Sequence, residues 1–143
     1  MVKVYKLTEN MFFVKIVSGE ELISSIKEAL AHINKDFGII FGLGALKEAR
    51  IGYFKGNRYH AIHIKAEEEC VLEVGMLHGN FVRGFNGLYY PHLHIVTSKV
   101  DGKVYSGHVL NGCIAHPFLE VFINTLPASV DVIKEFSHRW SLS

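Results

Sequence analysis

Leu22-Ile-Ser-Ser-Ile-Lys-Glu-Ala-Leu-Ala-His-Ile33 is the stretch that decides the fold class, because its apolar residues recur three and four positions apart. The resulting stripe consists of Leu22, Ile26, Ala29, Leu30 and Ile33. Ser18-Gly-Glu-Glu21 precedes it with the spacing of a capping box, and the polar Asn34-Lys-Asp36 ends it. The sequence therefore predicts one helix with a single apolar face.

Outside this helix, apolar residues follow the period of two that is typical of strands. Residues 2–7 and 11–17 predict an antiparallel hairpin ahead of the helix. The strands predicted after the helix are residues 39–41, 49–54, 59–64, 70–77, 92–98, 104–110 and 118–125. The predicted fold class is α+β, with a largely antiparallel sheet of about seven to eight strands packed around a single main helix.

Two further segments leave alternatives open. Gly42 and Gly44 predict either a turn or a tightly packed backbone, since no complete phosphate-loop motif follows them. Residues 131–143 predict a last strand or an irregular arm. Trp140 would anchor this tail, against the core or against another subunit.

Composition limits the classes of function. The chain has 143 residues, 49% of them apolar, which predicts a single domain over residues 1–143. Its net charge of +1 gives no basic footprint for autonomous nucleic-acid binding. No apolar run is long enough for a secretion signal or a membrane span, so we expect a cytoplasmic protein without membrane contact. Cys70 and Cys113 lack metal-site spacing and predict buried thiols in a reducing compartment.

A histidine cluster is the best candidate site. His92 and His94 lie two apart in a predicted strand, so both side chains point to the same face. A turn at Asp101-Gly102 folds the next strand back and returns His108 towards this pair. Three imidazoles and a water molecule are a common zinc environment. Half-buried sheet histidines satisfied by hydrogen bonds remain the alternative.

Three sequence blocks, read together, resemble a known family. They are Gly42-Leu-Gly-Ala-Leu-Lys-Glu-Ala-Arg-Ile-Gly-Tyr-Phe54, Leu72-Glu-Val-Gly-Met-Leu-His-Gly-Asn-Phe81, and Pro91-His-Leu-His-Ile-Val-Thr97 with Asp101-Gly-Lys-Val-Tyr-Ser-Gly-His108. Their order and spacing resemble the PPC domain, the plant and prokaryote conserved domain, also called domain of unknown function 296. The resemblance extends from the first hairpin to residues 119–123.

The resemblance implies an antiparallel sheet packed with one helix and assembled as a homotrimer. It also implies that His92, His94 and His108 are metal ligands, as in prokaryotic members, which favours the zinc interpretation over hydrogen-bonded sheet histidines. Plant members carry an AT-hook arm for DNA, and this sequence contains none, so we expect the stand-alone prokaryotic type. Its segment Gly79-Asn-Phe-Val-Arg83 also departs from the Gly-Arg-Phe-Glu-Ile segment that plant members use for partner contacts.

Two functional hypotheses follow. The first is a trimeric metal-binding module with a DNA-associated or regulatory role, in which DNA binding by the chain alone is weak. The alternative is a zinc-dependent hydrolase or lyase acting on a small anionic substrate. His78, Asn80 and Arg83 are the predicted ligand-contacting residues, the last two because they border the metal site in sequence. For His78 the alternatives are a fourth metal ligand, a hydrogen-bond donor beside the metal, a general base, or a polar side chain at a strand end. The sequence identifies neither a catalytic residue nor the small-molecule ligand.

Overall fold

Eight antiparallel strands form one sheet in the computed structural model, which describes residues 2–141. The strands are β1 (Lys3–Lys6), β2 (Met11–Val17), β3 (Phe37–Lys55), β4 (Arg58–Lys65), β5 (Leu72–Arg83), β6 (Tyr89–Ser98), β7 (Val104–Val109) and β8 (Ile114–Thr125). The helices are α1 (Leu22–Ile33), the short α2 (Val130–Lys134) and a 3₁₀ turn (Ser137–Arg139). The predicted α+β class, the antiparallel sheet and its one main helix are confirmed.

The sheet is organised by β3, which has 19 residues and pairs with four other strands. Its first half lies between β5 and β8, and its second half pairs with β4 and touches β7 at Ile51 and Gly52. Since β5 pairs with β6, and β6 with β7, these contacts close a ring of β3, β5, β6 and β7. The sequence predicts two separate strands within β3, residues 39–41 and 49–54. This prediction is wrong, because the strand continues without a break through Gly42 and Gly44.

Gly42 and Gly44 allow that continuity. The register of β3 shifts between them, and Gly44 has a φ of +138° that disfavours other residues. A Cβ built at Gly42 would lie 2.5 Å from the carbonyl oxygen of Glu120, and one at Gly44 would lie 2.5 Å from that of Phe118. The tight-packing alternative is therefore correct: the glycines let β8 approach β3 at a bulge.

The helix α1 follows the predicted apolar stripe, and all five stripe residues are buried. It packs against β6, β1 and β2. The predicted capping box is wrong: Glu21 is the N-cap, and its Oε1 accepts a hydrogen bond from the backbone N–H of Ser24 at 2.9 Å. Ser18 instead bonds the His116 ring at 2.8 Å, because a turn at Gly19 separates it from the helix. Asn34, in the left-handed conformation, ends the helix as predicted.

The tail folds as α2 and the 3₁₀ turn, so of the two alternatives for this segment the last strand is wrong. Ser129 caps α2 by accepting a hydrogen bond from Val132 N–H, which favours a helical turn over an extended strand. The Trp140 ring lies 5.6 Å from that of Phe85 and 5.7 Å from that of Tyr90, so it anchors the tail against its own subunit. Residues 142 and 143 of the predicted tail lie outside the described residues.

The cysteines are unpaired in the described chain. Cys113 is buried, as predicted, and burial raises the pKa of its thiol to about 11, which keeps it protonated at neutral pH. Cys70 is only half-buried in the segment before β5. No helix within residues 2–141 has the length and hydropathy needed to cross a membrane.

The bulge in β3 predicts that a side chain at Gly44 destabilises the fold. Gly44→Ala should lower the free energy of unfolding by about 2–4 kcal/mol, because it adds both backbone strain and a clash with β8. Gly75→Ala is the matched control, since no atom lies within 4 Å of a Cβ at this strand glycine. Urea unfolding of both variants measures the difference. Equal stability would mean that the β3 bulge tolerates a side chain.

Candidate metal centre

His92 and His94 lie on the outer face of β6, as their spacing predicts. Leu93 and Ile95 alternate with them and are 2% and 1% exposed in the core, whereas His92 is half-buried and His94 is exposed. Burial of the two aliphatic side chains fixes the register of the strand. This alternation holds both imidazoles on the same side of the sheet.

His108 joins them because β7 returns antiparallel beside β6 and sets it directly opposite His94. The turn between the strands is closed by hydrogen bonds from Lys99 N–H to the Lys103 carbonyl oxygen and from Gly102 N–H to the Lys99 carbonyl oxygen, with Gly102 at a φ of +87°. The ring centroids lie 5.3 Å apart for His92 and His94, 5.0 Å for His92 and His108, and 5.6 Å for His94 and His108. One ring nitrogen from each residue lies within 4.8 Å of the others. The structure therefore brings together the three histidines that the sequence singles out.

One buried nitrogen in this cluster lacks a partner among the described residues. His108 Nδ1 is buried and forms no hydrogen bond within the described part of the chain. An unsatisfied buried polar atom destabilises a fold by about 1–3 kcal/mol, so such atoms are rare unless a ligand or water binds them. Three imidazoles with one unsatisfied nitrogen fit a divalent transition metal in donor type and number.

The His108 ring is held from the other side by Tyr59 of β4. The two rings stack 4.3 Å apart at an angle of 17°. Gly52, opposite His108 on β3, makes this possible, because a Cβ there would lie 3.1 Å from the Tyr59 ring and crowd it. The stack restricts the orientation of His108, which preorganises the cluster.

The local environment keeps the imidazoles neutral. Burial lowers the pKa of both His94 and His108. The charge of His78 lowers the pKa of His94 further, and the charge of His94 lowers that of His108. The pKa of His92 falls to about 4, first through burial and then through the positive charges of Arg139 and the neighbouring histidines. All three rings are therefore deprotonated at neutral pH, which is the form that binds metal.

A cavity of about 290 Å³ opens beside the cluster. Its lining consists of Tyr59, Tyr90, Pro91, His92, His108, His138 and Arg139. The sequence gives no local signal for Tyr59 or Arg139, and it suggests only a structural or surface role for His138. These side chains come from β4 and the tail, so only the three-dimensional path of the chain assigns them to the site.

The predicted ligand-contacting residues lie in different places. Asn80 faces His92 across β5 and β6, and its Oδ1 accepts a hydrogen bond from Arg139 at 2.6 Å. His78 faces His94, with ring centroids 6.4 Å apart, but is not one of the clustered ligands. Arg83 is not brought to the histidines: it forms an ion pair with Asp36 and lines other cavities.

The same outer face carries a row of rings that crosses seven strands. Directly paired residues lie on one face of a sheet, so their side chains are neighbours. From β1 to β7 the row reads Tyr5, Phe13, Phe122, Phe41, His78, His94 and His108. The row is thus aromatic at one end and histidine at the other.

Solved structures share this fold. A Bacteroides thetaiotaomicron protein named for an inferred DNA-binding role matches with a TM-score of 0.79 at 22% identity, over 93% of this chain and 94% of that one. A plant- and prokaryote-conserved (PPC) protein from Pyrococcus horikoshii matches with a TM-score of 0.73 at 27% identity, over 90% and 84%. A metal-containing protein from Archaeoglobus fulgidus matches with a TM-score of 0.72 at 26% identity, over 90% and 85%.

Sequence comparison leads to the same group of proteins. No curated protein matches the chain. The family model of the Plants and Prokaryotes Conserved (PCC) domain matches residues 4–127, which include α1 and all three clustered histidines. The tail that supplies His138 and Arg139 lies beyond the matched residues. The chain therefore belongs to the PCC domain family, which the sequence resemblance identifies under the name PPC.

Proposed function

We propose that this chain is a single-domain PCC protein that binds one zinc ion through His92, His94 and His108. The observation that carries the proposal is the cluster itself, with three ring nitrogens within 4.8 Å of one another and no partner for His108 Nδ1 in the described residues. Zinc bound by three neutral imidazoles keeps a fourth position open for water or a ligand. The Archaeoglobus fulgidus neighbour, a metal-containing protein, adds support.

The chain's own residues suit this role. The buried β6 core positions His92 and His94, and the Tyr59 stack orients His108. Ring nitrogens in a tetrahedral zinc site are separated by about 3.3 Å, so small side-chain rotations within the 4.8 Å cluster suffice to bind the ion. Imidazole donors suit zinc, and they exclude magnesium and calcium, which prefer oxygen.

We favour a binding or regulatory module over a zinc hydrolase or lyase. A hydrolytic zinc site commonly uses a carboxylate as general base beside the metal-bound water. None of the described residues that line the cavity is Asp or Glu. Neighbours named for DNA-binding roles support a regulatory setting, in which this chain, with a net charge of only +1, contacts DNA only weakly by itself.

We also propose that the protein assembles as a homotrimer through the aromatic end of the ring row. Phe41 is 42% exposed where this end meets His78, and it stacks on Phe122 at 5.5 Å. Ile39 and Leu43 flank it on β3 and are exposed as well. A contiguous apolar patch of this kind marks an interaction surface, and a second copy of the chain is the partner that the family resemblance implies.

The zinc proposal predicts the effect of removing one ligand. His94→Ala should bind zinc at least about 100-fold more weakly, because losing even a supporting residue around a ligand costs 10- to 100-fold. His60→Ala, which removes an exposed histidine from β4, should keep about one zinc per chain. Elemental analysis of untagged protein and competition with a chelating dye measure both. Unchanged zinc content in His94→Ala would contradict the ligand assignment.

The trimer proposal predicts that a charge at the aromatic surface disrupts assembly. Phe41→Glu should shift the mass in light scattering from three chains towards one, because a buried carboxylate without a partner opposes association. Val100→Glu is the matched control, since Val100 is 65% exposed in the turn between β6 and β7. A trimeric Phe41→Glu variant, or a monomeric wild type, would contradict the proposal.

The charge balance predicts weak contact with DNA. With a net charge of +1, the isolated protein should bind duplex DNA with a Kd above about 10 µM at 150 mM salt. Fluorescence anisotropy at 50 mM and 200 mM salt measures both the affinity and its salt dependence. Tight binding that weakens steeply with salt would show that a basic surface forms in the assembled protein.

A further inference from the structure

The tail delivers a half-buried cation to the cavity beside the histidines. Arg139 Nη1 donates a hydrogen bond to the Tyr90 carbonyl oxygen at 3.0 Å, and its Nη2 donates one to Asn80 Oδ1 at 2.6 Å. The Phe136 ring lies 4.8 Å from the guanidinium carbon. All three contacts are to uncharged groups. They therefore fix the position of the guanidinium without neutralising it.

No carboxylate lies within ion-pair distance of Arg139 in the part of the chain that the structure describes. Arg83, by contrast, is paired with Asp36. Burial lowers the pKa of Arg139. The pKa of His92 is lowered first by burial and then by the positive charge of Arg139. A guanidinium has five N–H donors, and Arg139 uses two of them in these hydrogen bonds, which leaves three without a partner among residues 2–141.

The cavity beside Arg139 is small and lacks acidic side chains. Its volume of about 290 Å³ is at the lower end for ligand pockets, which suits a molecule smaller than a drug. Tyr59, Tyr90 and Pro91 provide an apolar wall, while His92 and His108 bring the proposed zinc position to the same space. Zinc and Arg139 together would place three positive charges there without a balancing carboxylate.

We propose that this cavity binds a small molecule through an oxyanion group, a carboxylate or a phosphate, held between Arg139 and the zinc position. The inference rests on the proposed zinc site and assigns its ligand class. The two oxygens of either group match the guanidinium fork, which forms paired, charge-assisted hydrogen bonds. Arg139 lies beyond the residues that match the PCC domain, so the cation of this site comes from the chain's tail.

Calorimetric titration of the zinc-loaded protein tests the proposal, with inorganic phosphate and malonate as probes. At least one probe should bind, and Arg139→Gln should weaken that binding at least tenfold, because it removes the charge and the fork. Arg139→Lys keeps the charge but not the fork, so its affinity for the probe should lie between those of the wild type and Arg139→Gln. Lys134→Gln is the matched control, since it removes an exposed cation from the same tail. The tighter probe identifies the oxyanion as phosphate or carboxylate.

The outcomes separate this inference from the zinc proposal. Elemental analysis should give the same zinc content for wild type, Arg139→Gln and Lys134→Gln, and their thermal unfolding should confirm intact folding. Full zinc occupancy without binding of either probe, or equal affinity in wild type and Arg139→Gln, would overturn the oxyanion site and leave the zinc site intact. Failure of the wild type to bind zinc would overturn both.

Discussion

The double pairing of β3 is the constraint on which the rest of the structure depends. Its first half pairs with β5 and β8, and its second half pairs with β4 and meets β7. A strand of 19 residues can do this only if it bends, and the glycine bulge between Gly42 and Gly44 allows the bend. Because β7 closes against β3 at Gly52, His108 reaches a position where Tyr59 can stack on it. Ring closure thus brings Tyr59 onto the histidine cluster that the β6–β7 hairpin assembles.

The outer face of the sheet combines two chemistries in one row. Cross-strand pairing aligns aromatic rings on β1, β2, β8 and β3 with histidines on β5, β6 and β7. His78 lies at the boundary, between Phe41 and His94. A partner chain that covers the aromatic end would therefore lie only one strand from the histidines. Assembly would reduce water access near the cluster, which strengthens interactions within it.

Local patterns predict the parts of this molecule that short-range geometry controls. The α1 stripe, the strands and the shared face of His92 and His94 all follow from side-chain periodicity. His108 is predictable because a short hairpin connects β6 and β7. The continuity of β3 cannot be predicted in this way, since glycines fit a turn and a bulge equally well. Ser18 and Glu21 have capping-box spacing, yet a turn at Gly19 diverts Ser18 to His116. Tyr59 and Arg139 are distant in sequence from His92, and only the tertiary fold places them beside it, so no local pattern predicts them.

The site draws on two segments that are held independently. The buried residues of β6 and the β6–β7 pairing set the geometry of the histidines. The tail is held by contacts of the Trp140 ring with the rings of Phe85 and Tyr90, and by the two hydrogen bonds that Arg139 donates. Neither anchor passes through a clustered histidine. Changes in the tail can therefore alter the charge and shape of the cavity while the clustered histidines keep their positions, so the proposed ligand site and the proposed zinc site are separable within one small fold.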